Sequence, residues 1–108
     1  MEIVVRVVGR GTALLAAAEP GEMDLIGPLG KGFTLESKKH VLLVGGGVGN
    51  APLLYLAREL KKSGCHITFL YGARSEKYIY LAERFNAACD RFVITTDDGS
   101  EGKKGLVT

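Results

Sequence analysis

An apolar run, a cluster of glycines and an amphipathic segment come one after another without a break between residues 40 and 62. The run at 40–44 (HVLLV) is typical of a strand buried on both faces. The glycines at 45–49 (GGGVG) predict a tight turn, and a helix is expected to start near Asn50, with Pro52 in its first turn. Apolar residues at helical spacing then give one hydrophobic face: Leu53, Leu56, Ala57 and Leu60. This order is typical of the first unit of a parallel α/β sheet.

The alternation of strand and helix continues to residue 95. Residues 67–71 (ITFLY) and 91–95 (RFVIT) are rich in strand-forming side chains. A second helix is predicted between them, with four residues on its apolar face: Tyr78, Leu81, Ala82 and Phe85. The βαβαβ order requires crossover connections and a parallel sheet. The predicted fold class is therefore α/β, with a βαβαβ parallel-sheet domain in residues 36–108.

Residues 1–35 show a weaker pattern. Residues 2–8 and 23–26 predict short strands, residues 13–18 predict one or two helical turns, and the GPLG string at 27–30 separates these elements from the α/β pattern. So few elements cannot bury a core of their own. We therefore expect residues 1–35 to be the tail of a preceding domain.

Composition narrows the classes of function. The chain has 14 Lys and Arg against 12 Asp and Glu, a net charge of +2, and no Trp. Because the basic residues are spread along the chain, no nucleic-acid partner is expected. Two cysteines and two histidines without ligand spacing predict no metal site, and no residue is assigned a catalytic role. No membrane span or secretory signal is visible, so we expect a cytoplasmic protein with no membrane partner.

The glycine cluster is also the strongest chemical signal. N–H groups at the start of a helix attract phosphate, and a side chain on the turn would hold a pyrophosphate away from them. The cluster lies between a predicted strand and a predicted helix, so it indicates a nucleotide-binding domain in residues 36–108. It departs from the usual dinucleotide fingerprint. Counted from Gly45, the third glycine is replaced by Asn50, and counted from Gly47 the string is GxGxxP, ending at Pro52.

A second departure concerns the ribose. The acidic residue expected after the second strand is absent, and the chain there reads Tyr71-Gly72-Ala73-Arg74-Ser75. Arg74 either approaches an adenosine ribose or a 2′-phosphate, or is a solvated arginine at a helix start. One basic side chain argues weakly for NADP, whereas Glu76 would repel an extra phosphate and favours NAD.

The GxGxxP string after the first strand resembles the ferredoxin–NADP reductase superfamily. Four blocks in order narrow the resemblance: 27–33 (GPLGKGF), 43–54 (LVGGGVGNAPLL), 71–75 (YGARS) and 95–100 (TTDDGS). The chain resembles the electron-transfer subunit of the bacterial NAD-dependent dihydroorotate dehydrogenases, and in particular its middle portion. The resemblance implies that residues 1–35 are the remnant of a flavin-binding β-barrel and that residues 36–108 bind NAD(H).

The same resemblance assigns a flavin segment. The family's G-[KR]-G-T string, which places backbone amides on the flavin pyrophosphate, corresponds to residues 9–12. The full set of candidate cofactor-binding residues is Gly9, Arg10, Gly11, Thr12, Gly45, Gly46, Gly47, Val48, Gly49, Asn50, Pro52, Ala73, Arg74, Asp97 and Asp98.

Two family features are missing from this sequence. The barrel's Arg-x-Tyr/Phe-Ser/Thr motif does not occur, nor do the four closely spaced cysteines of the [2Fe–2S] cluster. In the complete subunit the resemblance implies FAD and a catalytic dihydroorotate dehydrogenase partner, with electrons passing to NAD in support of pyrimidine synthesis. The isolated chain is expected to be inactive and to self-associate through exposed barrel surface.

Two alternatives stay open. One is a related flavin subunit that couples NADP(H) to ferredoxin or sulfide, although Phe33 and the TTDDGS block favour the dihydroorotate assignment. The other is a nucleotide-binding or docking module without turnover of its own.

Overall fold

Four parallel strands form one sheet in the part of the chain where the apolar runs lie. They are β1 (His40–Gly46), β2 (His66–Ala73), β3 (Arg91–Thr96) and β4 (Lys103–Lys104), and they lie side by side in that order. The computed structural model describes residues 2–35 and 39–108. The predicted α/β class with a parallel sheet is confirmed. Strand β4 was not predicted, because two exposed lysines carry no apolar pattern.

The chain divides into two compact units, Met1–Thr34 and Leu35–Thr108. The sheet lies wholly in the second unit. The domain boundary predicted between residues 35 and 36 adjoins residues 36–38, which lie outside the described residues.

Helix α2 (Ala51–Lys62) comes after β1 through a 3-10 turn, Gly47–Asn50. Proline lies in the first turn of the helix, as predicted. Of the four residues predicted on its apolar face, three are buried and Leu53 is only partly so, while Leu54 is buried as well. The apolar stripe of α2 is therefore wider than the predicted spacing.

The second predicted helix starts later than its apolar pattern, which begins at Tyr78. Residues Glu76–Tyr78 form a separate 3-10 turn, and helix α3 spans only Ala82–Ala88. Leu81 adopts a left-handed backbone, with φ of 53°, which a β-carbon disfavours and which no α-helix can contain. The prediction that Tyr78 and Leu81 belong to this helix was wrong. Hydrogen bonds between the Tyr80 backbone and the Tyr71 hydroxyl hold this segment out of helical geometry.

Aromatic side chains of β2 and α3 form the centre of the core. Phe69, Tyr71 and Phe85 have no exposed surface, and the Phe85 ring meets the other two edge to face, with centroid separations of 5.0 and 5.1 Å. Right-handed crossovers between strands in sequential order place α2 and α3 on the same face of the sheet. On the opposite face, Leu42 is 59% and Val44 42% exposed.

The first unit contains one helix, α1 (Arg10–Ala16), none of whose residues is buried. The strands predicted at residues 2–8 and 23–26 were wrong, since residues 2–35 contain no strand. A strand is stable only beside a hydrogen-bonded neighbour, and this unit supplies none within its described residues. The predicted helical turns at 13–18 form three residues earlier than the apolar run suggested.

Neither a membrane-crossing helix nor a cluster of metal ligands occurs in the described residues. Within residues 2–35 and 39–108, no helix has the length and apolar character needed to cross a membrane. In the same residues, no three side chains of His, Cys, Asp or Glu come close enough together to hold a metal ion.

Asp90, directly before β3, hydrogen-bonds Ile67 of β2 at the amino end of the sheet. This contact predicts that stability depends on pH. The Asp90 carboxylate accepts a hydrogen bond from the Ile67 N–H at 2.8 Å and one from Lys61 Nζ at 3.0 Å. The Ile67 N–H, followed by Lys61, holds the pKa of Asp90 below its ordinary value of 3.8. A carboxyl whose pKa is lowered by folding stabilises the protein above its unfolded pKa, and this contribution disappears as the pH falls through the folded pKa.

We therefore expect Asp90→Asn to lower the melting temperature at neutral pH, with a difference from wild type that shrinks below about pH 4. Thermal unfolding followed by circular dichroism across this range provides the measurement. Asp24→Asn, at an exposed site in the first unit, is the control and should match wild type throughout. A difference for Asp90→Asn that stays constant with pH would contradict this account.

Candidate functional site

The carboxyl ends of three parallel strands meet at one edge of the sheet. Gly46 lies opposite Gly72 in β2, which lies opposite Thr95 in β3. The turns after these strands are therefore neighbours, and they contain most of the candidate residues predicted in the second unit. In open α/β sheets, ligands bind outside this edge.

The glycines of the first turn have different structural roles. A side chain on Gly45 would collide with Asn50 and with Leu53, so this position is glycine because of internal packing. Gly47 has φ of +53°, and a β-carbon on Gly47 or on Gly49 would meet no atom within 4 Å. The space beside Gly47 and Gly49 is therefore open for a ligand to approach the backbone.

Asn50 occupies the position where the dinucleotide fingerprint has its third glycine. Its side chain is fully buried, and its Nδ2 donates hydrogen bonds to the Gly47 carbonyl at 3.0 Å and to the Gly72 carbonyl at 3.3 Å. This amide ties the glycine turn to the end of β2. The close packing of Asn50 against Gly45 explains how the departure from the fingerprint is accommodated.

Tyr80 bonds the glycine turn from a distant segment of the chain. It was not identified as a site residue from the sequence. Its hydroxyl donates one hydrogen bond that is shared between the carbonyls of Gly47, at 3.1 Å, and Val48, at 3.3 Å. Burial raises the pKa of Tyr80 to about 12, with a smaller contribution from Tyr71. No motif marks this tyrosine. The sequence could have indicated it only through a general rule, that the hydroxyl of a buried tyrosine needs a hydrogen-bond partner.

Tyr71 in turn holds Tyr80. Its hydroxyl accepts the Tyr80 backbone N–H at 3.1 Å and lies 3.3 Å from the Tyr80 carbonyl, to which it donates. Burial raises the pKa of Tyr71, and hydrogen bonds with the Tyr80 backbone and the Asn50 side chain offset part of the rise. Both hydroxyls are therefore protonated donors at neutral pH.

The turns after β2 and β3 are joined by backbone hydrogen bonds. The N–H of Asp97 donates to the Ala73 carbonyl at 3.1 Å, and that of Asp98 to the Arg74 carbonyl at 3.4 Å. Ser100 Oγ accepts the Glu76 N–H at 2.8 Å. The structure thus brings the predicted residues Ala73, Arg74, Asp97 and Asp98 together.

Asp98 has a partner within its own turn. Its carboxylate accepts hydrogen bonds from the Ser100 hydroxyl at 2.6 Å and the Ser100 N–H at 3.0 Å, and these hold the pKa of Asp98 below its ordinary value. Asp98 therefore shapes the turn. Arg74 and Asp97 are exposed, whereas Ala73 is buried, so Arg74 is the basic side chain of this group that can reach a ligand.

The last residues of the chain pack over the same edge. A β-carbon on Gly72 would come within 2.6 Å of the Val107 side chain, and one on Gly46 within 3.9 Å. Gly72 is therefore glycine because Val107 occupies the space beside it. This contact covers part of the sheet next to the turn.

The predicted flavin segment lies at the start of α1 in the first unit. Thr12 Oγ1 accepts the backbone N–H groups of Val8, at 2.9 Å, and Gly9, at 3.1 Å, and donates to the Gly9 carbonyl. A β-carbon on Gly9 or Gly11 would meet nothing within 4 Å. The Thr12 hydroxyl therefore organises the turn, and the backbone at both glycines is open.

The cofactors implied by the resemblance differ in how well they fit the residues present. The open backbone at Gly47 and Gly49 fits a nucleotide phosphate. A [2Fe–2S] cluster does not fit, because it needs four ligands and the two cysteines, Cys65 and Cys89, are buried among core side chains.

Comparison with known sequences shows consistent relatives. The chain is 44% identical to the dihydroorotate dehydrogenase B (NAD(+)) electron transfer subunit homolog of Thermotoga maritima, over 98% of this chain and 38% of that protein. It is also 44% identical to the electron transfer subunit of Bacillus caldolyticus, over 98% of this chain and 42% of the relative. The chain thus spans about two fifths of the relatives it matches. No protein-family model matches it.

Solved structures with the same fold include two reductases by name. An NADH-dependent reduced ferredoxin–NADP oxidoreductase, described in relation to flavin-based electron bifurcation, superposes with a TM-score of 0.83 at 42% identity, over 95% of this chain and 38% of that one. The cytochrome b5 reductase domain of Ulva prolifera nitrate reductase has a TM-score of 0.63 at 22% identity, over 90% of this chain and 45% of that one, and shows the fold alone.

The resemblance seen in the sequence motifs is therefore confirmed over nearly the whole chain. Four blocks of sequence, the parallel sheet with its glycine turn, and the relatives agree. The chain is homologous to a segment of the electron transfer subunits of dihydroorotate dehydrogenase B.

Proposed function

We propose that this chain is the nicotinamide-nucleotide-binding part of a flavoprotein electron transfer subunit, passing electrons between FAD and NAD(H) in support of dihydroorotate oxidation and pyrimidine synthesis. The observation that carries the proposal is the open backbone at Gly47 and Gly49, at the carboxyl end of β1 and ahead of α2. N–H groups at such a position attract a pyrophosphate.

The residues of this chain bind and orient, and the bound cofactors supply the redox chemistry, which is transfer of a hydride. The glycine turn would hold the nucleotide phosphates, and Arg74 would face the adenosine ribose. Asp97 and Asp98 form the turn beside it. In this proposal no residue of the chain transfers a proton or acts as a nucleophile.

The proposed partner is the catalytic dihydroorotate dehydrogenase subunit, because the relatives are electron transfer subunits of that enzyme. Residues 1–35 would belong to the flavin-binding barrel. Several large apolar side chains of this unit are exposed, including Ile26 at 90% and Leu29 at 80%. This exposure supports both a covering neighbour in the complete protein and self-association of the isolated chain.

A second candidate has its own support. The oxidoreductase that superposes at 42% identity is named a ferredoxin–NADP oxidoreductase, although it is also called NADH-dependent. A flavin subunit coupling NADP(H) to ferredoxin or sulfide is therefore the alternative. The two candidates differ in whether the nucleotide carries a 2′-phosphate, and Arg74 and Glu76 are the charged residues that would respond to it. A docking module without turnover is the third interpretation, and nucleotide titration separates it from the others.

The glycine turn provides the first test. We expect Gly49→Val to weaken NADH binding by at least about tenfold, because the new side chain would fill the space that the phosphate needs. The fold should persist, since a β-carbon at this position meets no atom within 4 Å. Titration calorimetry with NADH measures the affinity.

Two matched glycines serve as controls. Gly32→Val makes the same change at an open position outside the turn and should bind as wild type does. Gly45→Ala should lower the melting temperature, because its β-carbon would collide with Asn50. Equal NADH affinities for wild type and Gly49→Val would exclude the turn from nucleotide binding.

A second test concerns the flavin. We expect the isolated chain to retain little FAD, because residues 2–35 contain no strand and the Thr12 hydroxyl already bonds its own turn. The absorption spectrum of the purified 108-residue chain, with added FAD removed by gel filtration, measures this. A flavin band corresponding to about one FAD per chain would show that these residues suffice.

A third test concerns the choice of nucleotide. We expect NADH to bind more tightly than NADPH. Glu76 would repel the 2′-phosphate of NADPH, and a single basic side chain, Arg74, would not compensate for this repulsion. The two affinities are compared at one fixed salt concentration, for wild type and for Arg74→Ala. Tighter NADPH binding that is lost in Arg74→Ala would instead favour the ferredoxin-coupled alternative.

A further inference from the structure

The carbonyl groups of the glycine turn are held by one side chain of the turn itself, Asn50, and by one from a distant segment, Tyr80. The Gly47 carbonyl accepts from Asn50 Nδ2 at 3.0 Å and from the Tyr80 hydroxyl at 3.1 Å. The same hydroxyl lies 3.3 Å from the Val48 carbonyl. Two consecutive carbonyls of the turn therefore point toward Tyr80.

The direction of these carbonyls determines the direction of the N–H groups. A peptide group is planar and trans, so its C=O and N–H point in opposite directions. Since the carbonyls of Gly47 and Val48 face Tyr80, the N–H groups of Val48 and Gly49 face away from it. A β-carbon on Gly47 or Gly49 would meet no atom within 4 Å, so the backbone here is accessible to a ligand.

We propose that Tyr80 is a positioning residue for the turn, whose hydroxyl orients the Val48 and Gly49 N–H groups toward a nucleotide pyrophosphate. This inference rests on the proposed function for the identity of the ligand. The contacts of the hydroxyl in the described residues are with backbone groups, the carbonyls of Gly47 and Val48 and the backbone of Ala51. Tyr80 therefore acts through the turn and is not itself a ligand of the phosphate.

The surroundings of Tyr80 suit this role. The Tyr71 hydroxyl holds both the N–H and the carbonyl of Tyr80, and the two rings meet edge to face with centroids 6.0 Å apart. The next residue, Leu81, has a left-handed backbone with φ of 53°, which is unfavourable for a residue with a β-carbon. The fold thus maintains an unfavourable backbone conformation at Leu81, directly beside Tyr80. Both the ring and the backbone of Tyr80 are held by Tyr71.

The test compares three variants of the 108-residue chain that differ from wild type by one hydroxyl. Tyr80→Phe removes the contact with the turn. Tyr71→Phe removes buried hydrogen bonds but leaves that contact in place. Tyr55→Phe changes an exposed tyrosine of α2, which is 69% exposed. NMR spectra of the ¹⁵N-labelled protein report on the Val48 and Gly49 amides without nucleotide, and calorimetry gives the NADH affinity.

We expect Tyr80→Phe to move the Val48 and Gly49 amide resonances and to weaken NADH binding about 3- to 10-fold, the usual effect of losing one hydrogen bond. Tyr71→Phe should lower the melting temperature at least as much, yet change the NADH affinity less. Tyr55→Phe should match wild type in every measurement. A purely structural role would instead make the affinities vary in step with the melting temperatures.

The outcomes separate this inference from the proposed function. If wild type binds NADH and Tyr80→Phe binds it equally well, the positioning role is wrong and the proposed function stands. If wild type binds no NADH but Tyr80→Phe still moves the two amide resonances, Tyr80 orients the turn and the proposed function is wrong for this chain. Unchanged resonances in Tyr80→Phe overturn the inference whatever the affinity.

A measurement on wild type covers the case in which Tyr80→Phe does not fold. The Tyr80 hydroxyl proton should be protected from solvent exchange and show NMR cross-peaks to Gly47 and Val48, with and without NADH. A hydroxyl proton that exchanges rapidly, or that loses these cross-peaks when NADH binds, would overturn the positioning role.

Discussion

Parallel pairing of β1 with β2 is the interaction on which the candidate site depends. Their register places Gly46 opposite Gly72, so both strands end at the same edge and the helix after β1 starts there. Asn50 reinforces this register by bonding the turn to the Gly72 carbonyl. Loss of the pairing would separate the glycine turn from the strand end that supports it.

The aromatic core links this edge to the rest of the domain. Phe69 and Tyr71 alternate along β2 and pack against Phe85 of α3. Because Tyr71 reaches the end of the strand, its hydroxyl leaves the apolar centre and bonds the Tyr80 backbone. Tyr71 thus links the aromatic core to the backbone of the segment that contains Tyr80, and a buried polar contact of this kind specifies one arrangement among several apolar ones.

In the proposed function the protein binds and orients the cofactors, and the cofactors transfer the electrons. In this proposal a segment of about two fifths of the relatives' length contains a nucleotide turn, a ribose-facing arginine and a flavin segment, and no residue that needs to act chemically. The cofactors carry the electrons, and the protein determines how they are held. Large apolar side chains of the first unit, such as Ile26 and Leu29, are exposed, as are Leu42 and Val44 of the sheet.

Local pattern was sufficient for the parts of the structure that depend on near neighbours in the chain. The apolar run before the glycines predicted β1, the spacing from residue 53 predicted α2, and the glycine string predicted a turn between them. The order of these elements then predicted a parallel sheet, because few other topologies are compatible with it. The motif blocks indicated the homology that the comparison with relatives confirms.

The features that the sequence did not reveal depended on partners far away in the chain. The apolar spacing of Tyr78 to Phe85 predicted a helix, yet Tyr80 is held by Tyr71 and by the glycine turn, and Leu81 is left-handed. The strands expected in residues 2–35 did not form, because a strand needs a neighbour that the described part of this unit does not contain. The sequence by itself determined strands β1 to β3, the glycine turn and the homology to the electron transfer subunits, because near-neighbour patterns encode them. Only the tertiary structure decided that a tyrosine 33 residues after Gly47 bonds the carbonyl of that glycine, since the contact exists only once the strands have paired.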